Sequence, residues 1–284
     1  MEPFFGSGAV LLARPDYRRG EHMETICDKD GFVCNVWRAL KFAPDKVAPW
    51  CDWPVNHADL TARKVALIKN EERLLKNLIT DEKWFDPVMA GYWIWAASCW
   101  IGSGLTKTGS IPCLSTGGEG VHKLSQRPHL SEAGMGVQKP YNPNLYIWFR
   151  ELSERLRYVR VVCGDWTRVC GGNWQDKMGT VGIFFDPPYR VKDRDVKIYY
   201  QESQTASGNV QDWALERGKK ESYRIVIAGY FEEHQKLIEN DWSYYRYSAT
   251  GGYSNVAKGK SCGKLNRHRE TLFFSPFCLE INQN

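Results

Sequence analysis

Four short apolar runs alternate with amphipathic stretches in the second half of this chain. The apolar runs, which read as strands, cover residues 158–163, 181–185, 223–228 and 270–274. Helical periodicity marks residues 144–156, 210–219 and 232–239. Strands that alternate with helices form mostly parallel sheets with helices on both faces. The pattern therefore predicts an α/β fold.

The first half of the chain predicts a second kind of region. A glycine turn leads through a short helix to a strand at residues 23–28, and helices are expected at residues 32–42 and 59–79. Residues 102–144 are rich in Gly, Ser and Pro and read as a long irregular segment. We expect residues 1–45 plus 145–284 to form the sheet domain. Residues 46–144 are expected to form an inserted helical, loop-rich region.

Composition excludes several classes of protein. The nine cysteines are odd in number and contain no Cys-x-x-Cys pair, which favours free thiols in a reducing cytoplasm over disulfides or a zinc site. The apolar stretch at residues 90–103 is too short to span a membrane and is rich in tryptophan, so we expect a buried helix. The net charge of +5 is compatible with a polyanionic partner without identifying one.

Two features near the start of the chain are typical of a nucleotide site. Gly6-Ser7-Gly8 would let the backbone approach a ligand closely. Asp28 ends the next strand about 20 residues later, where a carboxylate commonly holds a ribose diol. The alternative for Asp28 is a helix N-cap.

A third feature follows the strand at residues 158–163. Asp165 could accept a hydrogen bond from an adenine amino group while Trp166 packs on the purine; the alternative is a cap and a core aromatic residue. A dinucleotide fingerprint would need glycine where Leu11 stands, and no P-loop motif occurs. Together the three features indicate a cofactor that contains adenosine.

The apolar run 181–185 leads directly into Asp186-Pro187-Pro188-Tyr189. Two prolines after an acid impose a rigid, extended backbone without N–H groups. A carboxylate, a proline carbonyl and an aromatic ring are thereby held at fixed spacing. This is an unusual end for a strand unless a ligand binds there.

This combination resembles the DNA adenine methylase family of amino-methyltransferases. The resemblance rests on E-P-F-F-G-S-G, on an acid that ends the next strand, on G-D-W and on D-P-P-Y. The segment that begins E-T-I-C-D-K-D-G-F and the tail R-H-R-E-T-L-F-F also look like family sequence. The resemblance covers most of the sheet domain and is loosest over residues 105–140.

The resemblance implies a Rossmann-like methyltransferase sheet with an inserted target-recognition region. It implies S-adenosyl-L-methionine as cofactor, and an adenine N6 amine in double-stranded DNA as acceptor. Asp186, Pro187, Pro188 and Tyr189 would form the catalytic pocket. The cofactor residues would be Glu2, Pro3, Phe4, Gly6, Gly8, Asp28, Asp165 and Trp166. No metal is expected, and a nucleophilic Cys163 or Cys170 is not required.

The target base must leave the duplex to reach such a pocket, so DNA contacts are expected around it. Candidate phosphate-binding residues lie in the insert and in the loop after D-P-P-Y. They are Lys107, Lys123, Arg127 and Lys139, then Arg190, Lys192, Arg194 and Lys197. The alternative for each one is a solvated surface residue.

The resemblance further implies an N-terminal segment ahead of Glu2, with a Gly-Gly-Lys stretch, whereas Met1 directly precedes Glu2 here. One alternative is therefore a truncated, weakly active or inactive DNA-binding remnant. Another is a cytosine-N4 or RNA amino-methyltransferase. The expected setting is the cytoplasm of a bacterial or phage-infected cell, in a restriction-modification context. The protein would be a monomer or weak dimer without membrane contact, and a restriction endonuclease is a candidate partner.

Overall fold

The structure, a computed structural model, is that of a mixed α/β protein. It describes residues 1–14, 21–100, 104–107, 109–110, 144–188, 200–247 and 270–279, with the backbone only for residues 200–205. The chain divides into two compact units. The helical unit is Phe5–Val169, and the sheet unit combines Met1–Phe4 with Cys170–Asn284.

This division differs from the one expected from the sequence. Within the described residues, the helices between residues 46 and 100 belong to the helical unit together with the first two strands. The expected use of residues 46–144 in DNA recognition stays a prediction.

In its described residues, the helical unit contains six helices and two strands, followed by one more short helix. In chain order they are α1 (Ala9–Leu12), β1 (Glu24–Asp28), α2 (Gly31–Phe42), α3 (Pro44–Cys51), α4 (His57–Thr80), α5 (Pro87–Cys99), α6 (Leu145–Leu156) and β2 (Val159–Cys163). β1 and β2 pair in parallel, from Glu24 opposite Val159 to Asp28 opposite Cys163. A short helix, α7 (Thr167–Cys170), follows β2.

Helix α2 is the central helix of this unit. The Asp30 carboxylate caps its N-terminus by accepting hydrogen bonds from the backbone N–H groups of Phe32 (2.7 Å) and Val33 (3.3 Å). Its Ala39 and Leu40 side chains are fully buried, and α2 packs against α5, α6 and β2. The helix therefore fixes the position of the loop that joins it to β1.

Helices α3 and α5 approach closely at Gly91. A Cβ atom at this position would lie 2.4 Å from the Cβ of Trp50 and 3.0 Å from the Val47 carbonyl oxygen, so only glycine fits. Trp95 on α5 is fully buried and donates its indole N–H to the Trp53 carbonyl (2.9 Å). The prediction that this tryptophan-rich stretch forms a buried helix is thus confirmed for α5.

Four strands are described in the sheet unit. Its elements are β3 (Val181–Phe185), α8 (Tyr200–Arg217), β4 (Tyr223–Tyr230), α9 (Gln235–Ile238), β5 (Ser243–Arg246) and β6 (Glu270–Phe274), with 3-10 turns at Trp174–Lys177 and Phe231–Glu233. β3 and β6 coincide with the predicted ranges. The single helix expected at residues 232–239 is instead a 3-10 turn followed by the short α9.

The strand order in this unit is β3-β4-β6-β5. β3 and β4 are parallel, whereas β6 runs antiparallel to both β4 and β5. The expectation of a mostly parallel sheet therefore holds for β1–β2 and β3–β4 and is wrong for β6. An apolar run in a sequence does not indicate the direction of its strand, so the sequence did not distinguish β6 from the parallel strands.

The seven cysteines that the structure describes are free thiols, and six of them are buried. Within the described ranges, every helix is too short or too polar to cross a membrane.

Candidate active site

The glycine turn of the helical unit is fastened to the end of β1. Gly6 and Gly8 both adopt left-handed backbone conformations, with φ of +50° and +75°. The Gly6 N–H donates to Oδ2 of Asp28 at 2.8 Å, and the indole N–H of Trp37 donates to the Gly6 carbonyl at 3.0 Å. The turn therefore has one fixed shape, set by a carboxylate on one side and by helix α2 on the other.

Asp28 is not a helix cap, because Asp30 caps α2. Its second oxygen, Oδ1, accepts the backbone N–H of Asp30 at 2.9 Å. Each carboxylate oxygen can accept more than one hydrogen bond, and Asp28 is partly exposed. Asp28 can therefore still receive hydroxyl donors, such as those of a ribose diol, while it holds the turn.

The ends of β1 and β2 are tied together. The Gly164 N–H donates to the Asp28 carbonyl at 2.8 Å, and the Cys27 thiol donates to the Gly164 carbonyl at 3.3 Å. Gly164 has a φ of +139°, which favours glycine. Because β1 and β2 are parallel, Asp28 and Asp165 lie at the same edge of the two-stranded sheet, at the carboxyl ends of the strands.

Asp165 and Trp166 match the structural alternative more closely than the ligand-binding one. Oδ1 of Asp165 accepts the backbone N–H (3.0 Å) and the hydroxyl (2.6 Å) of Thr167, which starts α7. Asp165 itself is exposed. Trp166 is only 7% exposed, so little of its ring surface is open to a purine.

The donor set fits the adenosine part of the expected cofactor in two respects. Asp28 and Asp165 supply carboxylate acceptors at adjacent strand ends, and a Cβ at Gly6 would meet no atom within 4 Å. The Gly6 backbone therefore borders open space. Trp166 does not add an open stacking face.

Cys163 and Cys170 are fully buried. A hydrogen bond from Cys34 lowers the pKa of Cys163, while burial raises the pKa of Cys170 to about 12. Neither thiol is placed to attack a substrate.

In the sheet unit, the D-P-P-Y tetrapeptide begins directly after the last residue of β3. Phe185 is fully buried and packs against the rings of Phe4 (6.3 Å between centroids) and Trp213 (5.7 Å). Asp186 is exposed, and Pro187 is buried. The buried residues on either side of Asp186 hold its carboxylate at the carboxyl end of a parallel strand, and Tyr189 lies outside the described residues.

The first residues of the chain lie beside β3. The Met1 nitrogen donates to the Gly182 carbonyl (2.7 Å), and the Met1 carbonyl accepts the Phe184 N–H (2.9 Å). Glu2 and Pro3 are buried. Of the three residues predicted to bind cofactor here, Phe4 is the one whose packing against Phe185 links it to the tetrapeptide.

Tyr247 is a site residue that the sequence analysis missed. Its backbone N–H donates to the Glu270 carbonyl (3.2 Å), and its phenol interacts electrostatically with the Glu270 carboxylate. Burial raises the pKa of the phenol, as do the nearby carboxylates of Glu270 and Asp186. No motif marks Tyr247, because strand pairing rather than sequence spacing brings it near Asp186.

Of the residues predicted to bind DNA, Lys107 alone is described. It is exposed, and its carbonyl accepts a hydrogen bond from Lys64, a buried lysine that also binds Leu105 and Ser110. The other candidates lie outside the described residues: Lys123, Arg127, Lys139, Arg190, Lys192, Arg194 and Lys197.

The comparisons with known proteins add no family. A scan against models of protein families and a search of curated proteins both return no match to this chain.

Proposed function

We propose that this protein transfers a methyl group from S-adenosyl-L-methionine to the N6 amine of adenine in DNA. The observation that carries the proposal is the position of Asp186, Pro187 and Pro188 at the carboxyl end of β3, a strand parallel to β4. Ligands of α/β sheets bind at such strand ends. The Rossmann-like methyltransferase fold that the motifs suggest belongs to this proposal, and the mixed α/β architecture is compatible with it.

Asp186 and Pro187 hold the acceptor amine. The exposed Asp186 carboxylate accepts one N–H of the amine, and the Pro187 carbonyl accepts the other. These two hydrogen bonds orient the nitrogen lone pair, which is otherwise delocalised into the ring. Tyr189 supplies a stacking face for the flipped base, worth about 1–3 kcal/mol. Catalysis then comes from positioning and electrostatics rather than from an enzyme nucleophile.

Asp28 and the Gly6–Gly8 turn hold the cofactor. When bound, S-adenosyl-L-methionine supplies an electrophilic methyl group. Asp28 accepts hydroxyl hydrogen bonds from the ribose, and the backbone around Gly6 allows close approach. Asp165 is a further acceptor at the neighbouring strand end.

The test is methyl transfer to duplex DNA from labelled S-adenosyl-L-methionine, followed by nucleoside analysis. We expect N6-methyladenine with the wild-type protein and none with Asp186→Ala. Asp212→Ala is the matched control, because Asp212 is an exposed acid of the same unit, bonded to Lys236 on the surface. If wild type and Asp186→Ala give equal, background transfer, the proposal fails.

The product also separates the alternatives. Detection of N4-methylcytosine would identify cytosine as the acceptor and would leave the roles of Asp186 and Pro187 unchanged. Cofactor binding without transfer to DNA or RNA would indicate the inactive remnant.

A further inference from the structure

A groove of about 480 Å³ follows the outer edge of β2 in the helical unit. β1 occupies the other edge of this strand. Six cationic side chains and a single acid, Glu82, line the groove. The cations are Arg38, Lys41, Lys83, Arg157, Arg160 and Arg168. The six cations and the one acid give the groove a local formal charge of +5, which equals the formal net charge of the entire chain. The groove therefore concentrates positive charge.

Three of these cations are fixed by the strand itself. Lys41 Nζ donates to the Val159 carbonyl (2.6 Å), Arg38 Nε donates to the Val161 carbonyl (3.2 Å), and Arg168 donates to the Cys163 carbonyl. The open carbonyls of β2 are thus satisfied by charged donors from α2 and α7. Carbonyl oxygens are neutral, so these hydrogen bonds position the positive charges without cancelling them.

The remaining cations reach into solvent. Arg160 and Lys83 are exposed, and Arg157 is 57% exposed with a long contact of 3.8 Å to Glu154. The charges also repel one another: burial lowers the pKa of Lys41, and the nearby Arg160 lowers it further. An anion in the groove would relieve this repulsion.

The row of cations is too long for one small anion. Alternate carbonyls of a strand are about 6.6 Å apart, so the three fixed cations extend along roughly 13 Å of β2. That length spans several phosphates of a nucleic acid strand. Two half-exposed aromatic residues, Phe42 and Tyr158, add surface on which bases or sugars can pack.

We infer that the groove along β2 binds the phosphate backbone of a nucleic acid. None of the residues assigned above to methyl transfer lines this groove, and the groove contacts phosphates rather than base edges. Binding through it is therefore independent of sequence and falls steeply with salt concentration.

The test compares two double variants in a DNA-binding titration at several salt concentrations. Arg160→Gln with Lys83→Gln removes two exposed groove cations and leaves the carbonyl-bound ones in place. Lys46→Gln with Lys69→Gln is the control, because both lysines are exposed on the same unit and line no part of the groove. Circular dichroism checks that both proteins fold.

We expect the groove variant to bind a duplex of arbitrary sequence roughly tenfold more weakly, with a slope of log K against log salt that is smaller by about 2. The control should match wild type. Equal losses in both variants, or unchanged affinity and slope in the groove variant, overturn the inference. So does a wild-type protein that binds no nucleic acid, or one whose bound DNA is displaced by polyglutamate as readily as by DNA of equal charge.

Binding is measured without S-adenosyl-L-methionine, so the result does not depend on methyl transfer. A groove that binds DNA in a protein without transferase activity would refute the proposed function alone. A transferase whose groove variant binds like wild type would refute this inference alone.

Discussion

The backbone N–H of Gly6 donates to the carboxylate of Asp28, 22 residues along the chain, at 2.8 Å. The glycine turn and the acid at the strand end are thereby one structural element. The same carboxylate holds the N–H of Asp30, the cap of α2. Any ligand that engages Asp28 therefore engages a preformed turn.

Asp28→Ala should weaken cofactor binding. The change removes two backbone hydrogen bonds, each worth about 1 kcal/mol, together with an acceptor for the ribose. We expect at least tenfold weaker binding of S-adenosyl-L-methionine by calorimetry. Asp45→Ala, which removes an exposed acid bonded to Arg150 in the same unit, should bind like wild type. Equal affinities of Asp28→Ala and wild type for S-adenosyl-L-methionine would show that Asp28 does not bind the cofactor.

Gly8→Ala and Gly6→Ala should differ in stability. Both glycines have positive φ, but a Cβ at Gly8 would lie 2.7 Å from the Phe5 ring and 3.0 Å from Trp37, while a Cβ at Gly6 meets nothing within 4 Å. We expect Gly8→Ala to lower the free energy of unfolding by about 2–4 kcal/mol, through strain plus overpacking, and Gly6→Ala by about 1 kcal/mol. Urea denaturation measures both. The reverse order would contradict the packing described around Gly8.

Acidification should destabilise the protein through Glu24. This side chain is 6% exposed and accepts two hydrogen bonds from Arg155 (2.7 and 3.0 Å) and one from Arg14 (2.8 Å). Burial raises its pKa, but the two arginines outweigh burial and leave the pKa lowered. A lowered folded-state pKa means that the stabilisation is complete above the ordinary carboxyl value of 4.5 and is lost as the pH falls through the folded value.

The measurement is the free energy of unfolding from neutral pH to below that value. Glu24→Gln should cost about 3 kcal/mol at neutral pH, because the partly buried Arg155 loses its ion pair with Glu24, and should reduce the loss on acidification. Glu154→Gln, at an exposed position, should behave like wild type. If Glu24→Gln loses as much free energy of unfolding on acidification as wild type, Glu24 is not the source of that loss.

Tyr247→Phe should slow methyl transfer if the proposed function holds. The phenol interacts with the carboxylates of Glu270 and Asp186, so its loss changes the electrostatic field at Asp186. We expect several-fold lower kcat with little change in KM for the cofactor. The exposed Tyr245, which lies on β5 two residues before Tyr247, supplies the control, Tyr245→Phe. A loss of stability without any loss of kcat would limit Tyr247 to a structural role.

Sequence reasoning located best the elements that bury one face and that end at a residue, such as proline, which stops the element. β3 is an apolar run that stops at Asp-Pro-Pro, and its observed range is the predicted one. β5 escaped prediction because all four of its residues are exposed, so it has no apolar pattern. Helix α3 escaped because Pro49 lies inside it, and burial of Val47 and Ala48 compensates for the proline.

The candidate site was predictable as residue types and not as contacts. The positions of Gly6 and Asp28 were recognisable, but the hydrogen bond between them depends on how β1 ends. Similarly, nothing in the sequence marks Lys64 and Arg38 as buried, since charged side chains are seldom buried. Their binding to backbone carbonyls is a tertiary effect that leaves no local signal.

The placement of β6 between β4 and β5 has a consequence for synthesis on the ribosome. β5 pairs with β6 in the described sheet, and β6 is the last strand described. The nascent protein must therefore keep the open edge of β4 from associating with other chains until residues 270–274 have emerged. Translation that stops before this point would leave β4 exposed and β5 without its pairing strand, a species prone to aggregation.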